Sequence, residues 1–241
     1  MARKPRARLR ALFDLVAEEH PELDAAVAIA DGSVLVDGIP ATNPRSLVRA
    51  DAPIAIREER LLRGERKLAT ALRIFALELD GRVALDLGAA AGGFTRALLA
   101  AGAARVYAVD AGHGQLLGSL RQDPRVVNLE RTNLARLDRT LVSEPLQVVT
   151  ADLSYVSLAT ALPQLDVELA PSADLVALVK PQFELGLDRP PSEPTLLQAA
   201  GRQAEDGARA AGWVPQRLVD SPLTGARGSA ELFLHARTAR P

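Results

Sequence analysis

The stretch Val83-Ala-Leu-Asp-Leu-Gly-Ala-Ala-Ala-Gly-Gly-Phe-Thr95 decides the architecture. A short apolar run reaches an acid, Asp86, a loop of glycine and alanine follows, and a helix-like segment opens at Gly93. Strand, tight turn and helix make the opening of a nucleotide-type βα unit. In such a loop backbone approaches a ligand, and side chains longer than a methyl would hold the ligand off. A dinucleotide fingerprint wants G-x-G-x-x-G, but Ala90 stands where the second glycine would let a pyrophosphate approach.

The pattern Asp-x-Gly-x-x-x-Gly-Gly is closer to a loop that holds S-adenosylmethionine. Loops of this composition also serve plain helix–sheet packing, so a second acid matters. Arg105-Val-Tyr-Ala-Val-Asp110 is a β-type run ending in Asp110, at the distance expected for a carboxylate that grips ribose hydroxyls.

Outward from this unit, Gly64 onward reads as alternating strand and helix. Leu68, Ala71, Leu72, Phe75, Ala76 and Leu79 recur at helical spacing before the first strand. Strands are expected at 83–87, 106–109, 126–129, 146–151 and 175–179, with helices at 93–101, 115–121, 134–141, 158–169 and 195–211. The segments 213–219 and 231–236 close the chain as strands without a clear helix between them, which suggests an antiparallel hairpin. The alternation implies an α/β fold with a mostly parallel sheet covered on both faces. Residues 1–57 read differently: two short helices, then short strands with turns at Gly32, Gly38 and Asn43-Pro44.

Composition narrows the chemistry. The chain has 241 residues, room for one large domain plus a small module. It has no cysteine, which removes disulfides, thiolate metal sites and cysteine nucleophiles from consideration. Its three histidines, His20, His113 and His235, are scattered, so no metal is expected. Aromatics make up only 3%, so Leu, Val and Ala must build the core. Acids interrupt the only apolar segment near the N-terminus, no run is of membrane-spanning length, and a cytoplasmic location is the expectation. Net charge is −1, but Arg3, Lys4, Arg6, Arg8 and Arg10 crowd one stretch and Arg57, Arg60, Arg63, Arg66 and Lys67 another. Such clusters can engage phosphates, and can equally be solvated faces.

In an open α/β sheet the ligand lies beyond the C-terminal strand ends. Asp86, Asp110, Asp152 and Lys180 fall there. Lys180 follows the apolar Leu175-Val-Ala-Leu-Val and is pinned by Pro181, so it cannot swing freely into solvent. Several stretches now carry a resemblance, in order along the chain: the Asp86 loop, the Asp110 run, Leu129-Glu-Arg-Thr-Asn133, Ala151-Asp-Leu-Ser-Tyr-Val-Ser-Leu158, Leu178-Val-Lys-Pro-Gln-Phe-Glu184 and Ser221-Pro-Leu-Thr-Gly225. With them the chain resembles the hemolysin A-like (TlyA-type) ribosomal RNA 2′-O-methyltransferases, within the FtsJ-like group.

The resemblance implies a Rossmann-like S-adenosylmethionine-dependent methyltransferase fold over residues 64–241. A degenerate S4-type RNA-binding module over 1–57 would precede it, joined by a linker at 58–63. It implies a catalytic tetrad at Lys67, Asp152, Lys180 and Glu231, with Lys180 as proton acceptor or oxyanion stabiliser. Asp86, Gly88, Gly92, Gly93, Phe94 and Asp110 would hold S-adenosylmethionine, with Asn133 on its adenine side. RNA, most naturally ribosomal, is the implied partner.

Four departures stand out. Gly64-Glu65 replaces a pair of glycines, and Ala90-Ala91 replaces Ser-Thr. The glycine-rich loop after Lys180 is the short Gly186-Leu-Asp-Arg-Pro-Pro191. The S4-like module is acidic at Glu18, Glu19, Glu22 and Asp24. The acceptor therefore stays open between ribosomal RNA, another RNA and a small molecule. A cofactor- and RNA-binding protein without catalysis is the further alternative.

Overall fold

The computed structural model describes residues 8–21, 23–56, 62–225 and 228–239. Arg3, Lys4, Arg6, Glu22, Arg57, Arg60 and residues 58–61 of the expected linker lie outside these. The backbone divides into two compact units: residues up to 61 together with Leu117–Asp123, and residues 62–116 together with 124 onward.

In the first unit, strand β1 (Leu9–Ala11) leads directly into α1 (Leu12–Glu19), and α2 (Ala25–Ala30) follows. Leu9, Leu12, Phe13 and Val16 stand at helical spacing, which predicts a helix from Leu9 to Glu19. Instead Leu9–Ala11 pairs antiparallel with β4 (Leu47–Arg49), so tertiary pairing overrides the local pattern. Asp24 caps α2 by accepting from the Ala26 and Val27 N–H groups at 3.0 and 3.1 Å. Strand β2 (Val34–Val36) pairs with β3 (Ile39–Pro40) across a tight turn and with β5 (Ile54–Ile56) on its other side. Leu12, Val16, Ala25, Ile29 and Val34 form the small core.

The first unit also takes in a short helix from later in the chain, α5 (Gly118–Gln122). Its first turn lacks a side-chain cap of its own, and Asp31 at the end of α2 accepts from the Ser119 N–H at 2.8 Å.

The second unit holds a seven-stranded sheet, introduced in chain order: β6 (Val83–Leu87), β7 (Arg105–Asp110), β8 (Val126–Glu130), β9 (Leu146–Ala151), β10 (Leu169–Val179), β11 (Trp213–Asp220) and β12 (Leu232–Thr238). Their spatial order is β11-β12-β10-β9-β6-β7-β8. The five strands from β10 to β8 run parallel, and β12 is antiparallel to both β10 and β11. This is the expected mostly parallel sheet with an antiparallel edge hairpin.

Helices α3 (Arg63–Ile74), α4 (Gly93–Ala100), α6 (Leu158–Ala161), α7 (Pro181–Glu184) and α8 (Pro194–Ala210) cover the sheet. With so few aromatics, close packing comes from small residues. Ala200, Ala204 and Ala208 of α8 are fully buried, and the Gly207 backbone lies so near Ala159 of α6 that an added Cβ would come within 2.7 Å of it. Among the described residues no helix is long and apolar enough to cross a membrane.

The helix expected at 115–121 begins only at Gly118, and three others are also shorter than their patterns. Leu134–Leu141 yields only one 3-10 turn, because Asp138 accepts from the Thr140 and Leu141 N–H groups and diverts the chain into a side-chain-capped turn. Leu158–Leu169 breaks at Pro163, which has no N–H to give, and Leu169 already belongs to β10. The helix before the first strand ends at Ile74, and Ala76 turns left-handed at φ 51°.

Candidate active site

The loop after β6 is shaped first by the protein's own backbone. Gly88 has φ 83°, and a Cβ there would lie 2.5 Å from the Asp152 carbonyl oxygen at the end of β9. Gly92 caps α4 in a left-handed conformation, and a Cβ on Gly93 would approach the Glu65 backbone nitrogen to 3.0 Å where α4 crosses α3. The small residues that suggested ligand contact are thus demanded by strand and helix contacts as well.

A cavity of about 590 Å³ opens at the C-terminal ends of the parallel strands. Gly88, Ala90, Asp110 and Asn133 line it, with Val109, Leu134 and Leu153 as apolar wall. One Asp110 oxygen accepts from the Ala90 N–H at 2.9 Å and the other from the Gly112 N–H at 2.6 Å. These bonds fix the carboxylate and leave each oxygen a further lone pair for a ligand hydroxyl. Asn133, exposed and lining the cavity, caps the following turn by accepting from the Ala135 N–H at 3.1 Å through its Oδ1.

The remaining expected cofactor residues stand behind the wall. Asp86 is fully buried and accepts from Thr95 Oγ1 at 2.7 Å and Thr150 Oγ1 at 3.0 Å. Burial pushes its carboxyl up to about 7, against the lowering effect of the two hydroxyl bonds. Phe94 is buried, its ring stacked on Phe233 with centroids 6.1 Å apart. Asp86, Gly92, Gly93 and Phe94 support the loop from below, and none of them lines the cavity.

A second cavity of about 370 Å³ brings Lys67, Asp152, Lys180 and Glu231 together. Lys67 comes from α3 and Glu231 from the residue before β12, and the two form a buried ion pair. Lys180 follows β10 as the N-cap of α7, and its Nζ stands 2.6 Å from Asp152 Oδ1. It also donates to Ser154 Oγ at 3.2 Å, and the Phe183 ring centroid is 6.0 Å away. Asp152 and Ser154 line both cavities, so the two share a wall.

Behind Lys180, α7 is anchored by Glu184, whose Oε1 accepts from the Leu158 N–H at 3.0 Å and whose carboxyl burial pushes up to about 7. Ser154, Gln115 and Arg189 also line the two cavities. Sequence reasoning did not single them out, because each lies on a loop where neither strand-end position nor periodicity gives a signal.

The donor set fits S-adenosylmethionine. A fixed carboxylate for ribose hydroxyls, an exposed amide and an apolar wall suit its adenosine, and Asp152 offers negative charge where the cavities meet, suited to a sulfonium. Among the described residues no cluster of metal-ligating side chains exists.

Comparisons with known proteins give the family. The FtsJ-like methyltransferase family model matches residues 62–237. The chain is 42% identical over 227 residues to 16S/23S rRNA (cytidine-2'-O)-methyltransferase TlyA of Mycobacterium tuberculosis, covering 89% of this chain and 83% of that protein. It is 30% identical to Hemolysin A of Brachyspira hyodysenteriae, over 85% of this chain and 88% of that one. A solved structure from Streptococcus thermophilus, 31% identical, superposes with a TM-score of 0.71 over 97% of this chain and 90% of that one. An S-adenosylmethionine-dependent methyltransferase of Mesorhizobium loti, 18% identical over 70% of this chain and 96% of that one, shares the fold with a TM-score of 0.51. On the family match and these identities, the chain belongs to the FtsJ-like methyltransferases.

Proposed function

We propose that this protein transfers a methyl group from S-adenosylmethionine to the 2′-oxygen of a ribose in ribosomal RNA. The observation that carries the proposal is the gathering of Lys67, Asp152, Lys180 and Glu231 around one cavity that shares its Asp152–Ser154 wall with the Asp110 cavity. The relatives' own activity on ribosomal RNA supports the acceptor.

S-adenosylmethionine supplies an electrophilic methyl on a sulfonium and departs as a neutral thioether. The chain's residues do the rest. Asp110 and Asn133 orient the adenosine. A ribose hydroxyl entering the second cavity meets Lys180, whose direction is set by Asp152 and Ser154. Lys180, with its own proton passed to the paired Asp152, accepts the proton that the hydroxyl gives up as its oxygen takes the methyl group. Lys67 and Glu231, locked to each other, line the same cavity. Residues 1–57 serve as an S4-like module that delivers RNA. A cytoplasmic location follows from the substrate.

The test is methyl transfer from labelled S-adenosylmethionine to ribosomal subunits lacking 2′-O-methylation, followed by nuclease digestion. Label in nuclease-resistant dinucleotides is the expected result. Label in bases, or none in RNA despite cofactor binding, contradicts the proposal.

A further inference from the structure

We infer that Arg189 binds the 3′-phosphate of the acceptor nucleotide and so sets the register of the RNA strand in the tetrad cavity. This rests on the proposed 2′-O-methylation. The inference starts from charge. Six charged residues line the cavity: Lys67, Asp152, Lys180, Asp188, Arg189 and Glu231. Both lysines are committed, Lys67 to Glu231 and Lys180 to Asp152. Arg189 is the one cation of this cavity with no carboxylate partner among the described residues, and it is exposed. A polyanionic strand entering here finds its phosphate partner in that guanidinium, whose planar fork matches phosphate oxygens.

Geometry supplies the second argument. The ribose 2′-oxygen and 3′-phosphate stand on neighbouring carbons, so a nucleotide that offers its 2′-hydroxyl to Lys180 must carry its 3′-phosphate along the same cavity. The segment bearing Arg189 is held for such a contact. The Leu187 N–H donates to the Gln182 carbonyl at 2.8 Å, and Gln182 Nε2 donates to the Asp188 carbonyl at 3.2 Å. Gln182 thus ties down the loop just before Arg189, while Pro190 restricts Arg189 itself to extended backbone. Gln182 lies two residues from Lys180 on α7, so the phosphate contact and the catalytic amine share one support.

The experiment measures KM for unmethylated ribosomal subunits across a salt series, for the parent, Arg189→Gln, Arg189→Lys and Asp188→Asn. With Arg189→Gln, KM should rise about tenfold, the scale of one charge-assisted contact. The slope of log KM against log salt should become shallower by roughly 0.7–0.9, the loss of one phosphate contact. Arg189→Lys should fall between, keeping charge and losing the fork. Asp188→Asn, which lifts the opposing charge from the same rim, should lower KM. S-adenosylmethionine affinity and melting temperature should stay at parent values throughout. An unchanged salt slope in Arg189→Gln overturns the inference, and so does an Asp188→Asn variant that raises KM in parallel, which would mark loop damage. If the parent methylates no RNA at all, the failure belongs to the proposed function instead.

Discussion

The two ends of the parallel sheet carry the same chemical groups arranged to opposite effect. At the C-terminal end, Lys180 and Asp152 pair beside open space, with side chains 19% and 27% exposed. At the other end, Asp174 is 1% exposed and three side chains converge on it: the guanidinium groups of Arg82 at 2.8 Å and Arg237 at 2.7 Å, and His235 Nε2 at 2.8 Å. The lower cluster ties β10 to β12 and to the residue before β6 and faces none of the cavities described above. The upper pair borders two of them. What distinguishes a site from a staple here is unfilled volume next to the charges, since the charges themselves are alike.

The largest expected effect breaks the upper end alone. Lys180→Ala should lower the methylation rate by about 10²–10⁴-fold, the usual scale for losing a positioned acid–base group. Denaturant stability and S-adenosylmethionine affinity should remain close to the parent's, as measured by urea titration and calorimetry. A variant that methylates at the parent rate contradicts the role given to Lys180.

Asp174→Ala should do the reverse, lowering stability by about 2–3 kcal/mol in urea titration while leaving cofactor affinity intact. That is below the usual range for breaking a buried pair, because Arg82 and Arg237 keep contact with water. The same group gives a pH signature. Burial opposes its ionised form, but the bonds from His235, Arg237 and Arg82 prevail and hold its carboxyl at about 2. Its folded value lies below its unfolded one, so its contribution is complete above about pH 4. It is lost as pH falls from there through about 2. Asp174→Asn should remove that part of the acid limb.

Asp86 shifts the opposite way and gives the smallest effect. With its folded value raised to about 7, the native state holds a proton that the unfolded chain has released above about pH 4. Its share of stability therefore declines as pH rises from about 4 to about 7. Asp86→Asn should flatten that decline in a series of urea titrations. A steeper decline in the variant would contradict the assignment of the proton to Asp86.

Much of this was legible from residues alone. Apolar runs ending in acids located β6, β7 and β9, and Lys180-Pro181 marked the end of β10. Depth was not legible. Asp86 and Asp110 look equivalent in sequence, yet in register Asp86 lies opposite Ala108, two residues inside the end of β7 that Asp110 occupies. That displacement puts one carboxylate under Thr95 and Thr150 and the other at a cavity. Nor could spacing reveal the pairing of Lys67 with Glu231, which are 164 residues apart and meet only after the sheet has formed. The short helices failed where a single side chain, Asp138 or Pro163, outweighed an apolar pattern.

The close approach of Gly88 to the Asp152 carbonyl has a consequence for how such a chain diversifies. The partition between the two cavities is in part backbone against backbone, with no room for a methyl group. In the proposed reaction, this contact holds the spacing between methyl donor and acceptor against ordinary substitution. A descendant that takes a new acceptor must find its changes on the outer rim, at 186–191 or 229–230, and inherit the distance over which the methyl group travels.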